Sequence, residues 1–415
     1  MMLWKPIFVA GLLLTWLIGF GETEATSAQK PPAHPIPYAS IGAVHYDGPN
    51  RQPAYDLKGA VIRIGLLAPL HGPQKAEGLA IVGAAQVALR NATRHPLAGG
   101  RKLALAIADE SVPPWGALGD EIIRMVLQQK VIAIVTSADA VSAHLSEQIG
   151  NKIGVPVLTL SSDPTTTEIN MPWIFRLGPS DTAQAHMFAG NIYRARGLRR
   201  VLLVAARNHD GRVGSTAFVK SARELGEPPP ATLFVDSFQP SLAPLLSGIR
   251  AHSPEAIVFW TSPQDVSSLV PPLREAGIHA PIYLCQAATQ QGSGLTFPVD
   301  RMRSEQHLQS NGIWTVIPPG WGDSVEQKFA RRYQTETGTP PTPIAAEAYD
   351  AITLIVKSLR QAGPNRARLR DRLATVHHYL GASGRICFDD KGNDQAAFQL
   401  VRLQGPKALV QRPRP

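Results

Sequence analysis

The chain has 415 residues, 44% hydrophobic and 18% charged, which is enough for two domains with cores of their own and too apolar for a disordered chain. Its formal net charge of +9 raises nucleic acid or an anionic membrane as partners. The basic residues are scattered, however, apart from Arg194 to Arg200 and Arg366 to Arg372 on predicted amphipathic helices, so solvated faces account for the charge and no nucleic-acid partner is expected.

At the N-terminus Lys5 precedes the apolar run Ile7 to Phe20 and the small polar stretch Thr23 to Ala28. This predicts a secretory signal peptide over 1–28 and a chain that acts in the periplasm or outside the cell, with a retained anchor as the alternative. No Cys lies near the cleavage region, which argues against a lipid anchor. Residues 29–59, with Pro31, Pro32, Pro35, Pro37 and Pro53, carry no core periodicity and predict a Pro-rich arm. The two cysteines, Cys285 and Cys387, could pair in an oxidising compartment, but their spacing does not decide it.

From Val61 onward apolar strand-like runs alternate with amphipathic helix-like runs, the pattern of parallel sheets wrapped by helices. Strands are expected at Val61–Leu67, Leu103–Asp109, Val131–Val135, Val155–Leu160 and Trp173–Leu177, with helices at Glu77–Asn91, Trp115–Gln129 and Ser142–Ile153 between them. Gly178-Pro179 reads as a crossing point. A second round follows, with strands at Val201–Ala205, Thr232–Val235, Ala256–Trp260 and Pro281–Leu284 and helices at Asp181–Arg196, Val213–Leu225, Ser241–Ala251 and Val266–Ala276. Ile313–Val316 reads as a further crossing strand, and helices Asp323–Thr335 and Ile344–Gln361 have apolar faces that need a partner. The stretch Val155 to Thr167 stands out because a buried strand gives way to Ser161, Ser162 and Asp163 before Pro164. These residues either cap a helix or face a ligand at the carboxyl edge of the sheet.

Four segments carry a family resemblance: Ile62-Arg-Ile-Gly-Leu-Leu-Ala-Pro-Leu-His-Gly-Pro73, Gly154-Val-Pro-Val-Leu-Thr-Leu-Ser161, Ala346-Glu-Ala-Tyr-Asp-Ala-Ile352, and Gly381-Ala-Ser-Gly-Arg-Ile-Cys-Phe-Asp-Asp-Lys-Gly392. In this order they resemble the type I periplasmic solute-binding proteins of the leucine/isoleucine/valine and amide-binding family, the capture subunits of ABC importers. The resemblance implies an α/β fold of two Rossmann-like lobes with parallel sheets and a three-crossover hinge. Lobe 1 would span 60–177 and 316–395, and lobe 2 would span 178–315 and 396–415. It further implies a monomer without a cofactor that takes a small organic, amino-acid- or amide-like ligand and partners with membrane permease subunits. A ligand sensor or accessory protein of the same fold is the alternative.

Carried across residue by residue, the first-lobe ligand contacts fall on Ser161, Ser162 and Asp163 and on the loop Ser137 to Ser142, in which Ser142 is the best hydroxyl and a helix cap is its competing role. Three positions depart from the amino-acid-binding pattern: Glu77 stands where an aromatic residue is usual, Asp210 replaces a tyrosine, and Gln286 replaces the acid that would meet an α-ammonium group. A plain branched-chain amino acid is therefore not the expected ligand, since a buried ammonium without a charged partner costs several kcal/mol. Glu77, Asp163 and Asp210 suit a ligand charged positively elsewhere, or are rim residues. Enzyme chemistry is not expected: the sequence lacks the Gly-x-Ser-x-Gly elbow, the His-Glu-x-x-His pair and the phosphate loop, and His144-x-x-Glu147 offers only two metal ligands.

Overall fold

The computed structural model describes residues 46, 48–94, 97, 100–169, 171–236, 243–289, 312–317 and 323–403. The expected signal peptide, most of the arm, the helix start at Ser241 and the C-terminal stretch from 404 lie outside the described residues. Among those residues, no helix is long and apolar enough to cross a membrane.

The first sheet contains β1 (Val61–Ala68), β2 (Lys102–Asp109), β3 (Ile134–Thr136), β4 (Val157–Thr159) and β5 (Ile174–Arg176) in the order β2-β1-β3-β4-β5. All its pairings are parallel. Alternation along β1 sends Ile62, Ile64 and Leu66 into one core and Leu67 into another, because successive side chains leave opposite faces of a strand. On the first side lie α1 (Lys75–Thr93) and two later helices, α9 (Ser324–Thr337) and α10 (Pro343–Ala362), whose apolar stripes are thereby covered. On the other side, α2 (Gly119–Leu127) brings Ile122, Met125 and Val126 against Ala106, Ala108, Ile134 and Val157.

The second sheet repeats the winding. β6 (Val201–Ala206), β7 (Ala231–Val235), β8 (Ala256–Trp260), β9 (Ile282–Leu284) and β10 (Ile313–Ile317) run parallel in the order β7-β6-β8-β9-β10, and β13 (Gln399–Leu403) closes that edge antiparallel to β10. Between the sheets, α5 (Asp181–Ala189) is capped by Ser180, whose side chain accepts from Ala183 N. Among the described residues, α5 packs its Ala185, Phe188 and Ala189 into the second lobe's core together with α6 (His209–Glu224), α7 (Ala243–His252) and α8 (Pro263–Glu275). The chain passes from one sheet to the other after β5, after β10 and before β13.

Several expected boundaries shift for identifiable reasons. The helix expected from Trp115 begins at Gly119, because Pro113-Pro114 and Gly116, at φ +95°, break the backbone first and leave Trp115 exposed. The next helix, α3 (Ala140–Ile153), begins before Ser142, with Asp139 as its cap. After α10 comes α11 (Arg366–Ala374), followed by the hairpin β11 (Tyr379–Gly381) and β12 (Gly384–Ile386). The end of the Pro-rich segment lies on α11, where Arg368 Nη2 donates to Asp56 Oδ1 at 2.9 Å and Asn365 Nδ2 donates to Asn50 O at 2.9 Å. Cys285 and Cys387 are both free thiols.

At the first crossing Arg176 is 4% exposed, and its Nη2 donates to Asn393 Oδ1 at 2.5 Å while Nη1 donates to Gly178 O at 3.3 Å. Burial lowers the pKa of this guanidinium, and nearby Asp394 and Asp181 oppose the loss of its charge. Arg176→Ala would leave those carboxylates uncompensated in a dry site and is expected to cost about 3–5 kcal/mol in urea unfolding. A loss under about 1 kcal/mol would mean that water replaces the guanidinium.

Candidate functional site

Each sheet has the same switch point, β1 against β3 in the first and β6 against β8 in the second, where strand order reverses and a crevice opens beyond the carboxyl ends. The loops after these strands, with those after β4 and β9, line a cavity of about 70 Å³, room for several waters at ~10–15 Å³ each. Glu77, Asp139 and Ser162 line it from the first lobe. Asp210, Thr261 and Cys285 line it from the second.

The two walls are built alike. Glu77-Gly78 lies in the first turn of α1, the helix after β1, and Asp210-Gly211 lies in the first turn of α6, the helix after β6. A Cβ on Gly78 would overlap the Pro69 carbonyl oxygen, and one on Gly211 would overlap the Ala206 carbonyl oxygen. Only glycine lets each helix press its N-terminus onto the end of its strand, and that approach brings the preceding carboxylate to the cavity. Hydroxyl pairs also repeat, with Thr136-Ser137 at the end of β3 and Thr261-Ser262 at the end of β8.

Among the described residues, the cavity lining contains three carboxylates and no Lys, Arg or His. Burial pushes the Glu77 carboxyl up to about 7, and neighbouring Asp139 adds to it. Burial likewise raises Asp210 well above the usual carboxylate range, helped by Asp139, Asp181, Asp163 and Glu77. Asp181, behind the wall, is raised to about 6 by burial while accepting from Trp260 Nε1 at 3.1 Å. Thr261 is 5% exposed and its Oγ1 is buried without a hydrogen-bond partner among the described residues. The lining therefore combines unneutralised acids with an unused hydroxyl.

Of the residues singled out from sequence, Glu77, Asp210 and Ser162 line the cavity together. Ser161 is buried beside it, its Oγ accepting from Asp163 N at 3.3 Å. Asp163 is 1% exposed and directs its carboxylate to Thr165, His144 and His209. Ser142 is buried in the first turn of α3, where its N–H donates to Asp139 Oδ1 at 2.7 Å. Gln286 spans the lobes: its N–H donates to Gln184 Oε1 at 2.7 Å and its Nε2 to Glu347 Oε1, on α10, at 2.8 Å. Burial pushes Glu347 up to about 8 despite that bond. Asp139 was anticipated only as part of the loop Ser137 to Ser142, and Trp260 and Thr261 were not anticipated; the repeated Thr-Ser after equivalent strands was the signal for Thr261.

A family model described as Periplasmic binding protein matches residues 61–406. The chain belongs to this family. Its fold is shared with a leucine-binding protein from Thermotoga maritima, at 18% identity and a TM-score of 0.72, covering 85% of this chain and 98% of that one. A branched-chain amino acid transporter substrate-binding protein from Streptococcus pneumoniae, solved with isoleucine, aligns at 18% identity and a TM-score of 0.70, covering 84% and 98%. A solute-binding protein from Rhodopseudomonas palustris, solved with 3,4-dihydroxybenzoic acid, aligns at 16% identity and a TM-score of 0.69, covering 83% and 94%. No curated protein matches the chain. In this periplasmic binding protein the cavity lies where the two α/β switch points face each other.

Proposed function

We propose that this periplasmic binding protein is an extracytoplasmic receptor that closes on a small organic ligand bearing a positive charge and delivers it to the membrane subunits of an ABC importer, with binding and no turnover. The observation that carries the charge assignment is the cavity lining, in which Glu77, Asp139 and Asp210 meet no basic side chain among the described residues. An organic cation placed there would neutralise acids that burial now holds partly protonated. The relatives solved with isoleucine and with a dihydroxybenzoic acid support capture of small organic molecules by this fold. Their ligands differ in charge, so the fold leaves the choice to the lining.

The test is calorimetric titration of the purified chain with amines, amidines and quaternary ammonium compounds beside leucine, isoleucine and benzoate. A cationic compound is expected to bind tightest and to raise the unfolding temperature by mass action. Tightest binding by benzoate or by a neutral compound would remove the charge assignment.

The pH dependence follows from Glu77. Its carboxyl ionises near 7 in the free protein, so below that pH it must give up a proton to pair with a cation. Affinity for the cation is therefore expected to rise about tenfold from pH 6 to pH 8, with proton release on binding. Titrations in buffers of different ionisation enthalpy read that release directly, and an affinity that falls with pH would contradict the pairing.

A further inference from the structure

We propose that His144, Asp163 and His209 form a site for one divalent transition-metal ion that ties the two lobes together beside the ligand cavity. His144 lies on α3 and Asp163 in the loop after β4, both in the first lobe, whereas His209 opens α6 in the second. Both imidazoles aim their Nε2 at one carboxylate oxygen: His144 Nε2 is 3.1 Å and His209 Nε2 is 2.7 Å from Asp163 Oδ2. All three ligand atoms lie within 4.8 Å of one another. A tetrahedral ion with bonds of about 2.1 Å needs ligand atoms about 3.4 Å apart, so the carboxylate must draw back from each imidazole by less than about 1 Å and the two imidazoles close by up to about 1.4 Å to admit it.

A second observation points the same way. His144 Nδ1 is 3.1 Å from Glu147 Oε2, and Glu147 is 1% exposed with its other oxygen, Oε1, buried without a partner among the described residues. A buried carboxylate that holds Nδ1–H fixes the tautomer and leaves the Nε2 lone pair for a metal, the usual outer-shell arrangement of a metal-bound histidine. Two imidazoles and one carboxylate suit Zn²⁺ or its first-row neighbours, not Mg²⁺ or Ca²⁺, which prefer cages of oxygen. Thr165 Oγ1, 3.0 Å from His144 Nε2, or water can take the remaining position. The site is reachable, since the side chains of His209 and His144 are 40% and 24% exposed while Asp163 is 1% exposed. Because its ligands come from both lobes, the ion would hold them closed whether or not an organic ligand is present.

The inference is independent of the ligand assignment, because the ion is measured with no organic ligand added. The full chain is stripped with a chelator and titrated with Zn²⁺, and bound metal is counted by equilibrium dialysis and elemental analysis. One Zn²⁺ per chain is expected, with micromolar or tighter affinity and a rise in unfolding temperature that Mg²⁺ and Ca²⁺ do not give. His144→Ala, His209→Ala and Asp163→Asn should each weaken Zn²⁺ at least about tenfold. His209→Asn, at the most exposed of the three positions, serves where the buried variant fails to fold by circular dichroism. No stoichiometric Zn²⁺ binding, or equal binding by the folded His209 variant and the parent, would overturn the site and leave the cluster a hydrogen-bonded ion pair.

Discussion

Gly211→Ala is expected to cost about 3 kcal/mol or more of stability and to remove ligand binding, an effect at the upper end for overpacking because the clash is with backbone. The new methyl would overlap the Ala206 carbonyl oxygen and crowd the Ala206 nitrogen, and neither can swing aside as a side chain would. Relief requires α6 to move outward from β6, carrying Asp210 off the cavity wall. Gly78→Ala should behave alike against Pro69. Gly190→Ala is the control: its Cβ meets nothing within 4 Å and its backbone is helical, so it should be neutral or slightly stabilising. Urea unfolding and calorimetry measure both quantities, and a Gly211 variant within about 0.5 kcal/mol of the parent would refute the close helix-to-strand approach.

The second large effect is on affinity. Glu77→Gln keeps the shape of the wall and removes one charge, so it is expected to weaken a cationic ligand by about 2–5 kcal/mol, the range for losing one partner of a buried charge pair. Its effect on the fold should have the opposite sign at alkaline pH. The Glu77 carboxyl ionises near 7 in the folded protein, above its ordinary value of 4.5, so its favourable contribution is complete at low pH and is lost as pH rises through 7. The glutamine variant should therefore gain on the parent between pH 5 and pH 8, as read from unfolding midpoints. A variant that loses both affinity and stability at pH 8 would make Glu77 a structural residue.

The elements themselves were largely legible. Ile62, Ile64 and Leu66 announce β1 by alternation, and the apolar stripe of α10 shows that it needs a sheet to cover, because both signals are periodic and local. What periodicity cannot carry is contact across lobes. His144 and Glu147 show their helical spacing in sequence, but Asp163 and His209 join them only once two sheets face each other. Asp139 was read as loop because a cap and a cavity wall require the same residue type. Trp115 was read as helix because an apolar pattern continues through Gly116, whose left-handed backbone a pattern of side chains does not reveal. The Glu-Gly and Asp-Gly pairs gain meaning only when the two helices are superposed by their place after the first strand of each sheet.

The bonds of Arg176 have a mechanical consequence. Its backbone N–H donates to Gly392 O at 2.8 Å, its carbonyl accepts from Asp394 N at 3.1 Å, and its guanidinium holds Asn393 and Gly178. The chain leaving the first lobe near 178 and the chain leaving it again near 393 run parallel and are thus fastened to one another. Two laced connections resist shear and independent twist, and they leave bending about a shared line as the soft motion. The lobes would swing as a door does on two fixed pins, so that the acids of one wall meet those of the other in the same register at each closing.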